Sequence, residues 1–106
     1  MNDKLKTEAT DSLFNAILQL KTTEECYAFF EDLCTVNELL SMTQRFEVAT
    51  MLKSNQTYLA ISAKTGASTA TISRVNRSLE YGNDGYDLVL SRMGLPTGKE
   101  TQQINK

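Results

Sequence analysis

The sequence predicts an all-α fold of about six short helices. Three observations carry that expectation. Apolar residues recur at spacings of three and four along most of the 106-residue chain, which is the period of one helix face. No stretch alternates apolar and polar residues for long enough to make a half-buried strand. Pro96 is the only proline, so no ring breaks a helix ladder before the C-terminal end.

Each helix has its own signal. Leu13, Phe14, Ile17, Leu18 and Leu20 form one apolar face, predicting a helix from about Thr10 to Leu20. Thr22 or Thr23 offers a capping oxygen for a second helix, and Glu24 and Glu25 fall in its first turn, where the helix dipole favours anions. Tyr27, Phe29, Phe30 and Leu33 carry that helix to about Cys34. Thr35 and Glu38 have capping-box spacing and start a third segment, whose Leu39, Leu40, Met42, Phe46, Val48, Ala49, Met51 and Leu52 run to about Lys53. Periodicity leaves open whether this is one helix or two broken near Ser41 to Thr43, and it assigns Met42 and Met51 to the core. After a turn at 54–56, Thr57 caps a short helix from Tyr58 to Thr65, which Gly66 stops. Ser68 or Thr69 caps the next, with Ile72, Val75 and Leu79 inward, and Tyr81-Gly82-Asn83 ends it. Asp84 starts the last helix, through Leu88, Val89, Leu90 and Met93, closed by Gly94 and Pro96. The expected layout is one helical domain over 10–95, with an N-terminal tail at 1–9 and a flexible tail at 96–106.

Composition narrows the chemistry. The chain has no histidine, hence neither the commonest general base nor the commonest metal ligand. It has no glycine-rich phosphate loop, no paired-cysteine motif and no zinc-protease motif. Neither an enzyme nor a cofactor is expected. No window approaches the ~18 apolar residues of a membrane span, and 1–11 lacks a signal-peptide pattern, so a cytoplasmic protein is expected. Cys26 and Cys34 sit among apolar residues and read as buried free thiols in a reducing compartment. The net charge is −2, but it is unevenly spread. Residues 1–40 carry three basic against eight acidic side chains, net −5, while 41–81 carry five against two, net +3.

The stretch 57–80 fits a helix-turn-helix. With Gly66 as the turn glycine, Ile61 and small Ser62 precede it by five and four residues, and Ile72 and Val75 follow by six and nine. That register places an apolar wedge between two helices crossing at ~90–120°. With Ile72, Val75 and Leu79 inward, Thr69, Ala70, Ser73 and Arg77 face outward. Short side chains let a helix approach the floor of a DNA major groove, where hydroxyls and methyls meet base edges.

The segment TGASTATISRVNRSL at 65–79, followed by YGNDGY at 81–86, resembles the DNA-reading part of the Trp repressor superfamily, and most closely its YerC/YecD-type members. The likeness runs back through LCTVNELLSMTQRFEVATML and covers about Leu33 to Leu90. It implies an intertwined homodimer whose N-terminal helices exchange between chains, each copy offering one helix-turn-helix to half of a roughly palindromic operator. It also implies a ligand pocket. The positions that frame tryptophan in Trp repressors are held here by Thr35, Arg45, Arg74 and Ser78, with one residue less between the two arginines. Two guanidinium groups suit a small carboxylate corepressor. Trp repressors have glycine directly after the recognition-helix arginine, whereas Val75 stands here and crowds the space of an indole. Tryptophan is therefore not the expected ligand, and any corepressor is unidentified.

The combined expectation is a transcription regulator, a repressor, that binds double-stranded DNA as a homodimer. Thr69, Ala70, Thr71 and Ser73 would approach base edges, and Lys64, Ser68, Arg74 and Arg77 would hold phosphates. The alternatives are a helical dimeric protein-interaction module and a regulator gated by a small carboxylate.

Overall fold

The structure, a computed structural model, describes residues 2–98. Among these, six α-helices and one short 3-10 turn account for all regular structure, so the all-α expectation holds. The 3-10 turn is Asp3–Leu5; the helices are α1 Glu8–Ile17, α2 Thr23–Leu33, α3 Val36–Lys53, α4 Tyr58–Thr65, α5 Thr69–Tyr81 and α6 Gly85–Arg92. Residues 99–106 of the expected C-terminal tail lie outside the described residues. The chain divides into two compact units, Met1–Leu39 and Leu40–Lys106.

In the first unit, α1 starts two residues earlier than its apolar face suggests. The cause is Thr7, whose hydroxyl accepts from the Thr10 amide at 3.1 Å. The helix also ends earlier, at Ile17, because Gln19 and Leu20 bond three residues back and tighten the last turn. Helix α2 is capped by Thr22, which accepts from Glu25 N–H at 3.1 Å, while the Glu25 carboxylate accepts from Lys21 N–H at 2.9 Å. The rings of Phe29 and Phe30 meet edge to face at 5.6 Å. No described residue of this unit is buried. Leu5, Phe14, Leu18, Tyr27, Leu33 and Val36 are all exposed, Leu18 at 76% and Val36 at 74%. The thiols of Cys26 and Cys34 are free and half-buried, less covered within this chain than the sequence suggests.

Helix α3 settles the question of one helix or two: it is a single helix of 18 residues. The Thr35 hydroxyl accepts from Glu38 N–H at 3.1 Å and the Glu38 carboxylate accepts from Thr35 N–H at 2.8 Å, a reciprocal capping box. Those bonds, the backbone one first, hold the exposed Glu38 carboxyl below the ordinary carboxylate range. Ser41 to Thr43 does not break the helix; the Thr43 hydroxyl turns back within it and donates to the Leu40 carbonyl at 2.8 Å.

The core belongs to the second unit. Val48, Ala49, Ile61, Ala67, Ile72 and Val75 are fully or almost fully buried together, with Met51, Leu52, Leu79 and Tyr86 packed against them. Met51 thus joins the core, whereas Met42 is 41% exposed and does not. Asn55 takes a left-handed φ of 63° after α3, and Gln56 N–H reaches the Met51 carbonyl at 3.0 Å, which ends the helix as a Schellman turn. Helix α6 is tied to α3 by Lys53 and Asp87 at 2.9 Å and by stacked Phe46 and Tyr86 rings at 6.4 Å. Of its apolar residues only Leu90 is buried; Leu88, Val89 and Met93 are exposed. Asp84 precedes α6 in a left-handed conformation without a side-chain cap bond.

Candidate nucleic-acid interface

Helices α4 and α5 and the turn between them build the site. Thr57 caps α4, accepting from Ala60 N–H at 3.1 Å. Gly66 then takes φ 74°, a left-handed conformation that costs an ordinary L-residue about 1–2 kcal/mol. The left-handed residue turns the chain sharply, so that Ala67 drops into the core at 2% exposure and α5 leaves in a new direction.

Ser68 caps α5. Its hydroxyl oxygen accepts from Thr71 N–H at 3.1 Å and its proton goes to the Thr71 hydroxyl, also at 3.1 Å. One side of α5 is sealed: Ile72 is fully buried and Val75 is 2% exposed. The other side is open. Thr69, Ala70, Ser73, Arg74 and Arg77 are exposed, as are Ser68 and, on α4, Lys64. Thr71 is half-buried and engaged with Ser68, which sets it apart from the rest of the row. The amides of Thr69 and Ala70 have no carbonyl beneath them in the helix, so the end of α5 adds its own donors and partial positive charge.

The electrostatics suit an anion. Between Glu47 and Glu80 there is no acidic residue, and the exposed Lys64, Arg74 and Arg77 fall in that stretch, as does Lys53, which is paired with Asp87. Screening confines a charge's reach to about 8–10 Å at physiological salt, so this local excess counts for more than the net −2 of the chain.

Of the four residues expected to frame a ligand, Thr35 lies in the first unit and Arg45, Arg74 and Ser78 in the second. Arg45 is exposed and donates from Nη1 to the Ser41 hydroxyl at 3.2 Å. Thr35 caps α3 in the first unit. Ser78 lines an open groove of about 460 Å³ with Phe46, Gly82, Asn83, Gly85, Tyr86 and Val89; neither Arg45 nor Arg74 lines it. Val75, the residue in place of the family's glycine, turns into the core.

Two features escaped the reading of the sequence. Leu59, on the first turn of α4, is 83% exposed. Gln44, half-buried on α3, donates from Nε2 to the Thr65 carbonyl at 3.2 Å. A glutamine inside an otherwise amphipathic helix gives no signal of its partner. Among the described residues no cluster of acids and cysteines could hold a metal ion, and no helix is long and apolar enough to cross a membrane.

Comparison with known proteins agrees with this geometry. The family described as Trp repressor protein matches residues 8–94. A Bacillus subtilis (strain 168) protein named "Uncharacterized protein YerC" is 57% identical over 100 residues, covering 94% of this chain and 91% of that protein. The crystal structure of a TrpR-like protein from Eubacterium eligens ATCC 27750 superposes with a TM-score of 0.86 at 68% identity, covering 88% of this chain and 96% of that one. A second crystal structure, from Staphylococcus aureus, gives the same TM-score at 57% identity, covering 90% and 95%.

Proposed function

Because the chain belongs to the Trp repressor family, and within it to the YerC type, we propose that it is a sequence-specific repressor of transcription that binds duplex DNA as a homodimer. The observation that carries this reading is the two-sided α5: Ile72 and Val75 sealed beneath, and Thr69, Ala70 and Ser73 exposed above, beside Arg74 and Arg77. The helix enters the major groove with the short residues at base edges, while Lys64, Arg74 and Arg77 meet phosphates. Residues 10–95 serve as the working domain and 57–80 as its helix-turn-helix. The protein acts by binding and not by covalent chemistry, in the cytoplasm, where its two thiols stay reduced.

Support for the dimer comes from the first unit. A segment with no buried residue among those described and six large apolar side chains in solvent is half of an interior, and a second copy supplies the other half. The acidic charge of 1–40 and the basic charge of 41–81 also favour exchange between copies.

Selection of bound duplexes from a random pool tests the reading. A two-fold symmetric sequence is expected to emerge, with half-sites one helical turn apart, about 10 base pairs. No enrichment by folded dimer at low salt would overturn it. Affinity should also fall steeply with salt, and Arg77→Ala should lower the slope of log K against log salt by about 1. A flat salt response would favour the protein-interaction alternative.

A further inference from the structure

Gln44 lies on α3, yet the peptide it holds is 21 residues further on. Its Nε2 donates to the carbonyl of Thr65, the last residue of α4, at 3.2 Å. That carbonyl sits at a helix C-terminus and has no donor from its own helix. Thr65 is engaged twice more. Its hydroxyl donates to the Ile61 carbonyl at 2.8 Å and accepts from Ala67 N–H at 3.1 Å. The turn that launches α5 is therefore gripped on three sides, and the Gln44 grip is the one from outside the motif. Gln44 itself is firmly based, one turn ahead of fully buried Val48.

We propose that Gln44 is a positioning residue for sequence reading: by fixing the Thr65 carbonyl to α3, it sets the angle at which α5 meets a duplex. The proposal rests on the DNA-binding reading above. Its consequence is selective. Hydrogen bonds to base edges fail when a helix end moves by about 0.5 Å. Attraction between charges falls only as the inverse of distance, so phosphate contacts tolerate the same movement. Loosening the turn should therefore remove discrimination while leaving non-specific binding in place.

Two variants of nearly the same size make the test. Gln44→Met removes the donor. Gln44→Glu keeps the shape but sets a carboxylate oxygen against a carbonyl oxygen. Each is compared with the wild-type dimer for thermal stability, amide exchange at Gly66 and Ala67, and affinity for the selected duplex and a scrambled one at fixed salt. In the Met variant the selected duplex should lose about fivefold in affinity, the scale of one hydrogen bond, and the scrambled duplex less than twofold. The Glu variant should lose still more of the ratio, and both amides should exchange several-fold faster in both variants. A role in packing alone would leave Glu equivalent to Gln; that result, unchanged exchange, or equal losses on the two duplexes would overturn the proposal. If the wild-type protein binds neither duplex, the DNA-binding reading fails and takes this role with it. If the wild type discriminates and both variants discriminate equally well, Gln44 alone is refuted.

Discussion

Gly82 ends α5 for a reason unrelated to flexibility. A Cβ at this position would lie 2.4 Å from the Ser78 carbonyl oxygen, a backbone atom that cannot step aside. Gly82→Ala should cost about 1–3 kcal/mol, the usual range for overpacking, read as a lower midpoint in chemical denaturation. Glu38 makes a prediction with a pH axis. Its carboxyl is held below the ordinary carboxylate range by the Thr35 bonds, so the folded state binds its proton less readily than the unfolded chain. The resulting stability is fully present above the ordinary carboxylate range and is lost as pH falls through the lowered folded value. The stability gap between wild type and Glu38→Gln should therefore be widest near neutrality and narrow on acidification. A third prediction concerns tryptophan: at millimolar concentration it should leave the melting temperature unchanged, because neither Arg45 nor Arg74 lines the groove beside Ser78. Gly66 and the Thr35–Glu38 pair were legible in the sequence, since each is a local signal. The helix end at Gly82 was legible too, but not the carbonyl four residues away that leaves no room for a Cβ there, nor the left-handed conformation of Asp84.

At the level of elements, α5 has a buried side and an exposed side, which mutations can separate. Ile72 is fully buried, so Ile72→Ala should cost about 2–5 kcal/mol and weaken everything the protein does. Ala70 is exposed on the opposite side. Ala70→Phe should leave stability within about 0.5 kcal/mol while abolishing preference for the selected duplex, because a large ring holds the helix away from the groove. Denaturation and gel-shift measurements on both variants would check the contrast. Helices α4 and α5 were read almost to the residue because threonine, glycine and serine punctuate them. The continuity of α3 was hidden, because Ser41 and Thr43 look like a break until the Thr43 hydroxyl is seen bonding its own helix. The grip of Gln44 on Thr65 was hidden for a different reason: pattern reading finds faces, and a bond across 21 residues belongs to the fold.

For the whole molecule, the division into two units matters most. Among the described residues, the buried core lies entirely in one unit and none of it in the other. Sedimentation at micromolar concentration should give twice the chain mass, and the melting temperature should rise with protein concentration, as for any fold completed by a second copy. Phe14→Asp with Leu18→Asp should break the pair, since both side chains are exposed apolar groups of one segment. The fold class was legible from periodicity alone, but a hydrophobic face in a sequence does not say whether its own chain will cover it. Helices α1 and α2, of 10 and 11 residues, fall short of the ~12–15 that persist unaided in water. On the dimer reading, that unit keeps its helices only while a second copy covers it.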